Sequence, residues 1–169
     1  MSDYIKEFTF KNKPEDFMYV DGEPLKLNED FKFYHNKLRF RKELNSLQYL
    51  FKNYIKTTLQ AAGIRDTYLK PEYTKSYLLL LFTDPVTIKN TNQIIEDHMD
   101  IPLKKDCYYM ECNSDYFLLL TKDMEGISEG VEIMEEILDQ VLDDYFRRKD
   151  FDQYIKVRPF KLSNCNLLS

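Results

Sequence analysis

Apolar residues along the chain switch between two periods, and the switches predict strands alternating with two long helices. Residues 30–40 (DFKFYHNKLRF) alternate apolar and polar side chains, as a half-buried strand does. From residue 41 to residue 62 an apolar residue recurs every three or four positions, which predicts a helix of about 20 residues that ends at Gly63. The same spacing over residues 123–144 predicts a second amphipathic helix, closed by three basic residues at 147–149.

Four further segments have strand character. The run YLLLLF at 77–82 is apolar on both faces, which favours a central strand in a sheet covered on both sides. CYYMEC at 107–112 and DYFLLLTK at 115–122 are joined by the turn-forming dipeptide Asn-Ser, so they predict a β-hairpin. YIKVRPF at 154–160 alternates polar and apolar residues and predicts an exit strand.

The order of these elements predicts one α+β domain built in two layers. The sheet is mixed, with four or more strands, and both long amphipathic helices pack on one of its faces, because each helix has a single apolar stripe to bury. We assign this domain to residues 31–160, followed by a polar tail at 161–169. Residues 1–30 predict short strands and turns that pack on the sheet or extend it. With 169 residues the chain is too short for a (β/α)₈ barrel, which needs about 250.

Composition and charge argue against two classes of partner. The chain carries 24 Lys and Arg against 29 Asp and Glu, a net charge of −5, so no positive field gathers phosphates and no nucleic-acid partner is expected. An RNA-binding sheet of the β-α-β-β-α-β type shares the element order, but the acidic second helix argues against it. The longest apolar run is the six residues at 77–82, against roughly 20 needed to cross a bilayer, so no membrane-spanning segment is expected.

Positive and negative charges are segregated along the chain. Residues 31–75 hold ten cations and three anions, whereas residues 123–144 hold nine acids and neither Lys nor Arg. One interpretation is that the two helices carry opposite charges on solvated faces and attract each other on the sheet. The alternative is a docking surface for a protein partner on the second helix. Its candidate residues are Glu132, Glu135, Glu136 and Asp139.

The sequence contains no recognisable catalytic or cofactor-binding pattern. The common phosphate-loop, dinucleotide, hydrolase-elbow and zincin motifs are absent. Glu135 and Glu136 are adjacent, but neighbours on a helix point about 100° apart, so they do not form the carboxylate pair of a glycosidase. His35 and His98 lack metal-ligand spacing, and His98 is expected at the edge of the core, in a short helix over residues 90–99. We therefore expect no enzyme activity, no cofactor and no metal in this chain.

The aromatic residues of the predicted hairpin have two interpretations. Sugar rings stack on aromatic faces, so these residues could form a carbohydrate platform. However, Tyr108, Tyr109, Tyr116 and Phe117 alternate as core strand residues do, and the chain has no Trp. The core interpretation is favoured.

The three cysteines are predicted to be free thiols. Cys107 and Cys112 are five residues apart and on opposite faces of the predicted strand, which makes a bridge between them geometrically poor, and Cys165 leaves the count odd. Charged residues follow Met1 where a signal peptide would be apolar. Both features predict a cytoplasmic protein, or an extracellular one if the chain is a domain of a longer protein.

Residues 106–138 (DCYYMECNSDYFLLLTKDMEGISEGVEIMEEIL) carry a family resemblance. They resemble the end of the small non-catalytic α/β domain that precedes the barrel in β-N-acetylhexosaminidases and related O-GlcNAc-type hydrolases. In that family a strand like "EGY.L" is followed by a second strand, an acid-rich turn and a helix beginning near "YGVQTLxQL". The matching positions are 107–110, 116–120, 123–125 and Gly130-Val131, leading into Met134, Ile137 and Leu138. Glu129 replaces the aromatic residue usual before that glycine.

The resemblance implies an accessory domain whose catalytic carboxylates lie in a barrel that this chain lacks, so no catalytic residue is carried over to it. Upstream, the predicted strand, helix and second strand follow one another in the family's order. The implied partner is a catalytic domain or another protein. The alternative is a stand-alone cytosolic interaction module that uses the acidic helix or an edge strand of the sheet.

Overall fold

The computed structural model describes residues 7–27, 33–35, 49–50, 61–63, 79–83, 98, 100–121, 124–147 and 155–168. The strands are β1 (Asp16–Tyr19), β2 (Leu25–Leu27), β3 (Phe33–His35), β4 (Ala61–Gly63), β5 (Leu79–Thr83), β6 (Tyr108–Cys112), β7 (Phe117–Thr121), β8 (Ile155–Val157) and β9 (Phe160–Ser163). The helix α1 spans Met124–Arg147. No helix within these ranges is both long enough and apolar enough to cross a membrane.

Seven of the strands form one mixed sheet in the order β1-β9-β6-β7-β5-β3-β4. Neighbouring strands from β1 to β7 pair antiparallel, and those from β7 to β4 pair parallel. β2 and β8 form a separate antiparallel ribbon. The predicted α+β class with a mixed sheet of four or more strands is therefore confirmed. β5 is an interior strand between β7 and β3, in line with its apolar run.

The predicted hairpin of β6 and β7 is present, and a side chain in its loop fixes the turn. Cys112 pairs with Phe117, which leaves a loop from Asn113 to Tyr116. Oδ1 of Asn113 accepts hydrogen bonds from the backbone N of Asp115 at 2.8 Å and of Tyr116 at 3.1 Å. Asparagine stabilises turns in this way because its short side chain reaches the backbone two residues ahead.

The helix α1 covers one face of the sheet and confirms the second predicted helix. Glu125 in its first turn and Arg147 in its last turn complement the helix dipole. Gly130 lies where a Cβ atom would come 2.6 Å from Cδ1 of Leu119, so this glycine lets the helix approach β7 closely. The core between helix and sheet includes Val131, Met134, Ile137, Leu138, Val141 and Leu142 from α1, and Met110, Phe117, Leu119, Phe160 and Leu162 from the strands.

The first predicted helix falls largely outside the described residues. Tyr49 and Leu50 are helical, but the predicted end of the helix is wrong, because Ala61–Gly63 form strand β4. There Phe33 pairs with Ala61 in parallel register. Pairing with the sheet edge satisfies the backbone hydrogen-bonding groups of these small residues. This long-range contact overrides the local preference of the two alanines for a helix. Within the described ranges α1 is the one long helix, so a second helix on the same face stays a prediction.

The two ends of the described chain meet in the sheet. β1 extends the sheet through its pairing with β9, as expected for the N-terminal residues. The exit strand appears as β8, but the chain then continues into β9, which lies between β1 and β6. Residues 161–163, predicted to begin a polar tail, are therefore strand residues, and Leu162 and Ser163 are buried. The apolar side chain at 162 faces the core, and three residues were too short a pattern to reveal this.

Candidate functional site

Strand β6 presents different chemistry on its two faces. Tyr108, Met110 and Cys112 belong to the core under α1. Because successive side chains of a strand alternate, Tyr109 and Glu111 lie on the opposite face. Glu111 is only 8% exposed, which is unusual for a carboxylate and calls for hydrogen-bonding partners.

Four polar groups converge on the carboxylate of Glu111, and we call these five residues the Glu111 cluster. Oε2 accepts hydrogen bonds from Nε2 of His98 at 2.8 Å and from the hydroxyl of Tyr116 at 2.9 Å. Oε1 accepts from the hydroxyl of Tyr109 at 3.0 Å and lies 3.5 Å from Nζ of Lys161. Each carboxylate oxygen is thus engaged twice, so the charge is well compensated despite its burial.

The fold brings the Glu111 cluster together from four separate stretches of chain. Lys161 lies directly opposite Glu111 in the pairing of β6 with β9. Tyr109 is two residues earlier on the same strand, and Tyr116 ends the hairpin loop. His98 is helical and its backbone oxygen accepts a hydrogen bond from N of Ile101 at 3.3 Å. The cluster therefore fastens the stretch around His98 to the sheet face that α1 does not cover.

Two opposing effects set the pKa of Glu111. Burial is the largest effect and opposes ionisation, but the hydrogen bond and charge of His98 and the hydroxyls of Tyr116 and Tyr109 together outweigh it. The pKa of Glu111 consequently falls from 4.5 to about 2. Burial and then the negative charge of Glu111 raise the pKa of Tyr109 above its ordinary value, so its hydroxyl keeps its proton and remains a donor.

This arrangement suits structural support better than proton transfer. A general acid or base works best with a pKa near the operating pH and within reach of its substrate, and Glu111 meets neither condition. His98 was expected at the edge of the core, and it is buried, with 5% of its surface exposed. Glu111 itself was missed in the sequence. The available signal was one acid within CYYMEC, with tyrosines two residues before it and five after it.

The low pKa of Glu111 predicts acid-dependent stability. Its folded-state pKa lies below the ordinary value, so the stabilisation is complete above about pH 4.5 and is lost as the pH falls towards 2. Allowing for partial exposure, we expect a contribution on the order of 2 kcal/mol. Urea unfolding at pH 7 and pH 2.5 should show that the advantage of the wild type over Glu111→Gln shrinks at the lower pH. An advantage that is the same at both values would contradict this pKa.

The four predicted docking residues do not share one open surface. Glu132 and Asp139 are exposed on α1, whereas Glu135 and Glu136 are partly buried. Oε1 of Glu136 accepts a hydrogen bond from the backbone N of Lys11 at 3.4 Å. The N-terminal segment therefore covers part of the surface to which the prediction assigned a partner.

A glutamine one turn further along α1 completes this contact with the N-terminal segment. Oε1 of Gln140 accepts from the backbone N of Thr9 at 2.8 Å, and Nε2 of Gln140 donates to the backbone O of Thr9, also at 2.8 Å. These two hydrogen bonds satisfy both backbone groups of Thr9 and hold the N-terminal segment against the helix. Of the acidic surface, the exposed part consists of Glu125, Glu129, Glu132 and Asp139.

The prediction of three free thiols is wrong. Cys107 and Cys165 form a disulfide with a Cα–Cα distance of 5.9 Å, which lies in the usual range. Cys112 is a buried free thiol, and burial raises its pKa, so it is a packing residue as expected. The bridge was hidden because its cysteines are 58 residues apart and meet only when β9 pairs with β6. Free thiols therefore no longer support a reducing compartment.

The aromatic residues of the hairpin are closed to solvent. Tyr108, Tyr109, Tyr116 and Phe117 are all buried, which confirms the core interpretation over a carbohydrate platform. In the part of the chain that the structure describes, no group of three or more His, Cys, Asp or Glu residues is arranged to hold a metal ion.

The fold has counterparts among solved structures, although no family model and no curated protein sequence matches the chain. A GH20 exo-β-N-acetylglucosaminidase from Vibrio harveyi, in complex with N-acetylglucosamine, matches 96% of this chain and 20% of its own, with 10% identity and a TM-score of 0.56. CpGH84D matches 92% of this chain and 23% of its own, with 10% identity and a TM-score of 0.59. The chain thus spans about a fifth of the length of these proteins and has the fold of one region of them, as the resemblance of residues 106–138 predicted.

Proposed function

We propose that this chain is a non-catalytic accessory domain of a glycoside-hydrolase-like protein, where it supports or docks a catalytic domain. One observation carries the proposal. Nearly the whole chain matches structures of which it covers only 20% and 23%. A complete small enzyme would be expected to match most of a relative's length, whereas an accessory domain matches a fraction of it. Fold likeness by itself does not assign function, so the proposal also needs support from the site.

The chemistry of the described residues agrees with a supporting role. A glycosidase needs two carboxyl groups that flank a sugar bond in an open cleft, at about 5–9.5 Å from each other. Among the described residues Glu111 is the one buried carboxylate, and all of its oxygen atoms are engaged within the protein.

The disulfide is relevant to the compartment in which such a domain is found. Disulfides persist in secreted and other oxidising environments and are rare in the cytosol. Of the two localisations considered from the sequence, the extracellular one is therefore the one included in this proposal. The expected partner is a catalytic domain, with no nucleic acid or membrane surface involved.

An activity assay together with the coding sequence tests the accessory role. The purified chain should release no aryl group from an aryl N-acetyl-β-glucosaminide between pH 4 and pH 8. The reading frame that encodes it should extend into a region large enough for a catalytic barrel, about 250 residues. Turnover by the purified chain would contradict the proposal, and so would a reading frame that ends without such a region.

The alternative function is a stand-alone interaction module, favoured by the exposed acids of α1. If these acids bind a basic partner, Glu132→Lys with Asp139→Lys should weaken capture of that partner from a cell extract at 10 mM salt. The wild type itself should capture less at 150 mM, because the Debye length falls from about 30 Å to about 8 Å. The unfolding free energy should change by no more than about 0.5 kcal/mol per exposed site.

A matched control carries the same change of charge elsewhere. Asp21 and Glu23 are exposed in the loop between β1 and β2, so Asp21→Lys with Glu23→Lys should leave capture unchanged. Equal recovery of partners by the wild type and both variants at both salt concentrations would remove the interaction hypothesis and leave the acids as a solvated face.

A further inference from the structure

We propose that the Cys107–Cys165 disulfide is a reducible latch that holds residues 164–168 against the sheet, so that reduction releases this segment while the sheet stays folded. This goes beyond the accessory role, because it gives the domain two states that depend on a dithiol reductant. We call residues 164–168 the clasp segment. It follows β9 directly and contacts β1, α1 and the residues before β6.

On the β1 side the clasp segment is held by acidic side chains. Oδ2 of Asp16 accepts a hydrogen bond from the backbone N of Leu168 at 2.8 Å, and Oδ1 of Asp16 accepts from the hydroxyl of Ser163. Oε1 of Glu15 accepts from Nδ2 of Asn166 at 3.2 Å. These contacts tie the clasp segment to an edge strand that is only four residues long.

On the other side Asn164 joins the clasp segment to two more elements. Its Oδ1 accepts from the backbone N of Tyr108 at 2.8 Å, and its Nδ2 donates to the backbone O of Asp106 at 2.8 Å and to Oε2 of Glu129 at 3.0 Å. The bonds of Nδ2 and of Asn166 are solvent-exposed, where water competes for the same groups. The disulfide is the one covalent link in this set, so we expect the exposed hydrogen bonds to open more readily without it.

The exposure of the two sulfur-bearing residues sets the direction of attack. Cys107 is 3% exposed, whereas Cys165 is partly exposed at the surface. A thiolate of a dithiol would attack Sγ of Cys165, which forms a mixed disulfide and expels Cys107 as a thiolate that then takes up a proton. The second thiol of the reductant then displaces Cys165. The protein disulfide gains two electrons and two protons, and the dithiol becomes a disulfide.

The sheet has pairings that do not depend on the latch. β6 pairs with β7 over five residues and with β9 over four, up to Ser163 opposite Tyr109. Apolar residues of α1 cover the same strands. Release is therefore confined to the residues after Ser163, which acts as the last fixed point of the chain before the clasp segment.

Amide hydrogen exchange with and without dithiothreitol at pH 8 tests the latch on the whole chain. The reporters are the amides of Cys165 and Leu167, which donate to Oγ of Ser163, and that of Leu168. Reduction is confirmed by alkylation after the protein is unfolded in denaturant, where the number of alkylated thiols should rise from one to three. In the reduced protein the reporter amides should lose at least about tenfold of their protection. Amides paired between β6 and β7 should keep theirs.

Two variants separate the effect of breaking the disulfide from other effects of the reductant. Cys112→Ser removes the buried free thiol and should respond to the dithiol like the wild type. Cys165→Ser should show the released segment without reductant and no further change on adding it. The proposal is overturned if excess dithiol acting on the folded protein still leaves only one thiol to alkylate after unfolding in denaturant. It is also overturned if reduction leaves the reporter amides protected, or if the sheet amides lose protection together with them.

Discussion

Replacing Leu138 with aspartate should unfold the protein. Leu138 is 0% exposed and lies in the apolar stripe of α1, packed among residues from both the helix and the sheet. Aspartate would place an unpaired carboxylate there, or force the carboxylate to take up a proton, and it would also remove most of the packed apolar volume. The expected cost is about 4 kcal/mol or more, a large share of the roughly 5–15 kcal/mol that stabilise a domain of this size. Thermal unfolding followed by circular dichroism measures it.

Two control variants separate the burial of this position from effects of the substitution itself. Leu138→Met nearly conserves volume and polarity, so it should cost less than about 1.5 kcal/mol. Ser128→Asp adds the same charge to an exposed position of the same helix and should change the free energy of unfolding by about 0.5 kcal/mol or less. An unchanged melting temperature for Leu138→Asp would show that this side of α1 does not face the sheet.

The elements that the sequence predicted well are those whose signal is local. The hairpin of β6 and β7 has two apolar runs around one turn, and α1 has apolar residues that recur every three or four positions, so neighbours in sequence suffice to define both. Strand β4 could not be predicted in this way. Ala61–Gly63 carry little strand preference, and only pairing with β3 makes them a strand.

The features of the candidate site depend on contacts between distant residues. The disulfide joins cysteines 58 residues apart, and the clasp contacts exist only because β9 lies between β1 and β6. Glu111 was missed for a different reason. One acid in an alternating strand is the usual sign of a solvent-facing position, and its burial becomes evident only when Lys161 and His98 are placed beside it.

The acidic residues of α1 show a third kind of contact that the sequence alone does not predict. Helical spacing put Glu132, Glu135, Glu136 and Asp139 near one another, and all four do lie on α1. What the spacing could not reveal is that residues 9–11 lie along the same helix and contact Glu136 and Gln140. A docking hypothesis based on one helix therefore has to be tested at Glu132 and Asp139, which the structure leaves exposed.

Removing the carboxylate of Glu111 should destabilise the protein nearly as much as a charge in the core. Glu111→Ala leaves Nε2 of His98 and the hydroxyls of Tyr109 and Tyr116 without their acceptor in a region that is largely closed to water. Unpaired buried donors cost about 1–3 kcal/mol each, and some will find other partners or admit water, so we expect a loss of about 3–5 kcal/mol at pH 7.

The distinction between Glu111→Ala and Glu111→Gln identifies what the carboxylate does. Gln keeps one acceptor oxygen and the side-chain volume, so it should retain part of the stability that Ala loses. Its NH₂ group replaces the second acceptor oxygen with a donor, and this donor faces other donors. Glu132→Ala, an exposed acid on α1, should cost no more than about 0.5 kcal/mol. Urea unfolding of the four proteins at pH 7 gives the comparison. A loss for Glu111→Ala no larger than that for Glu132→Ala would show that the buried cluster does not hold the stretch around His98 to the sheet.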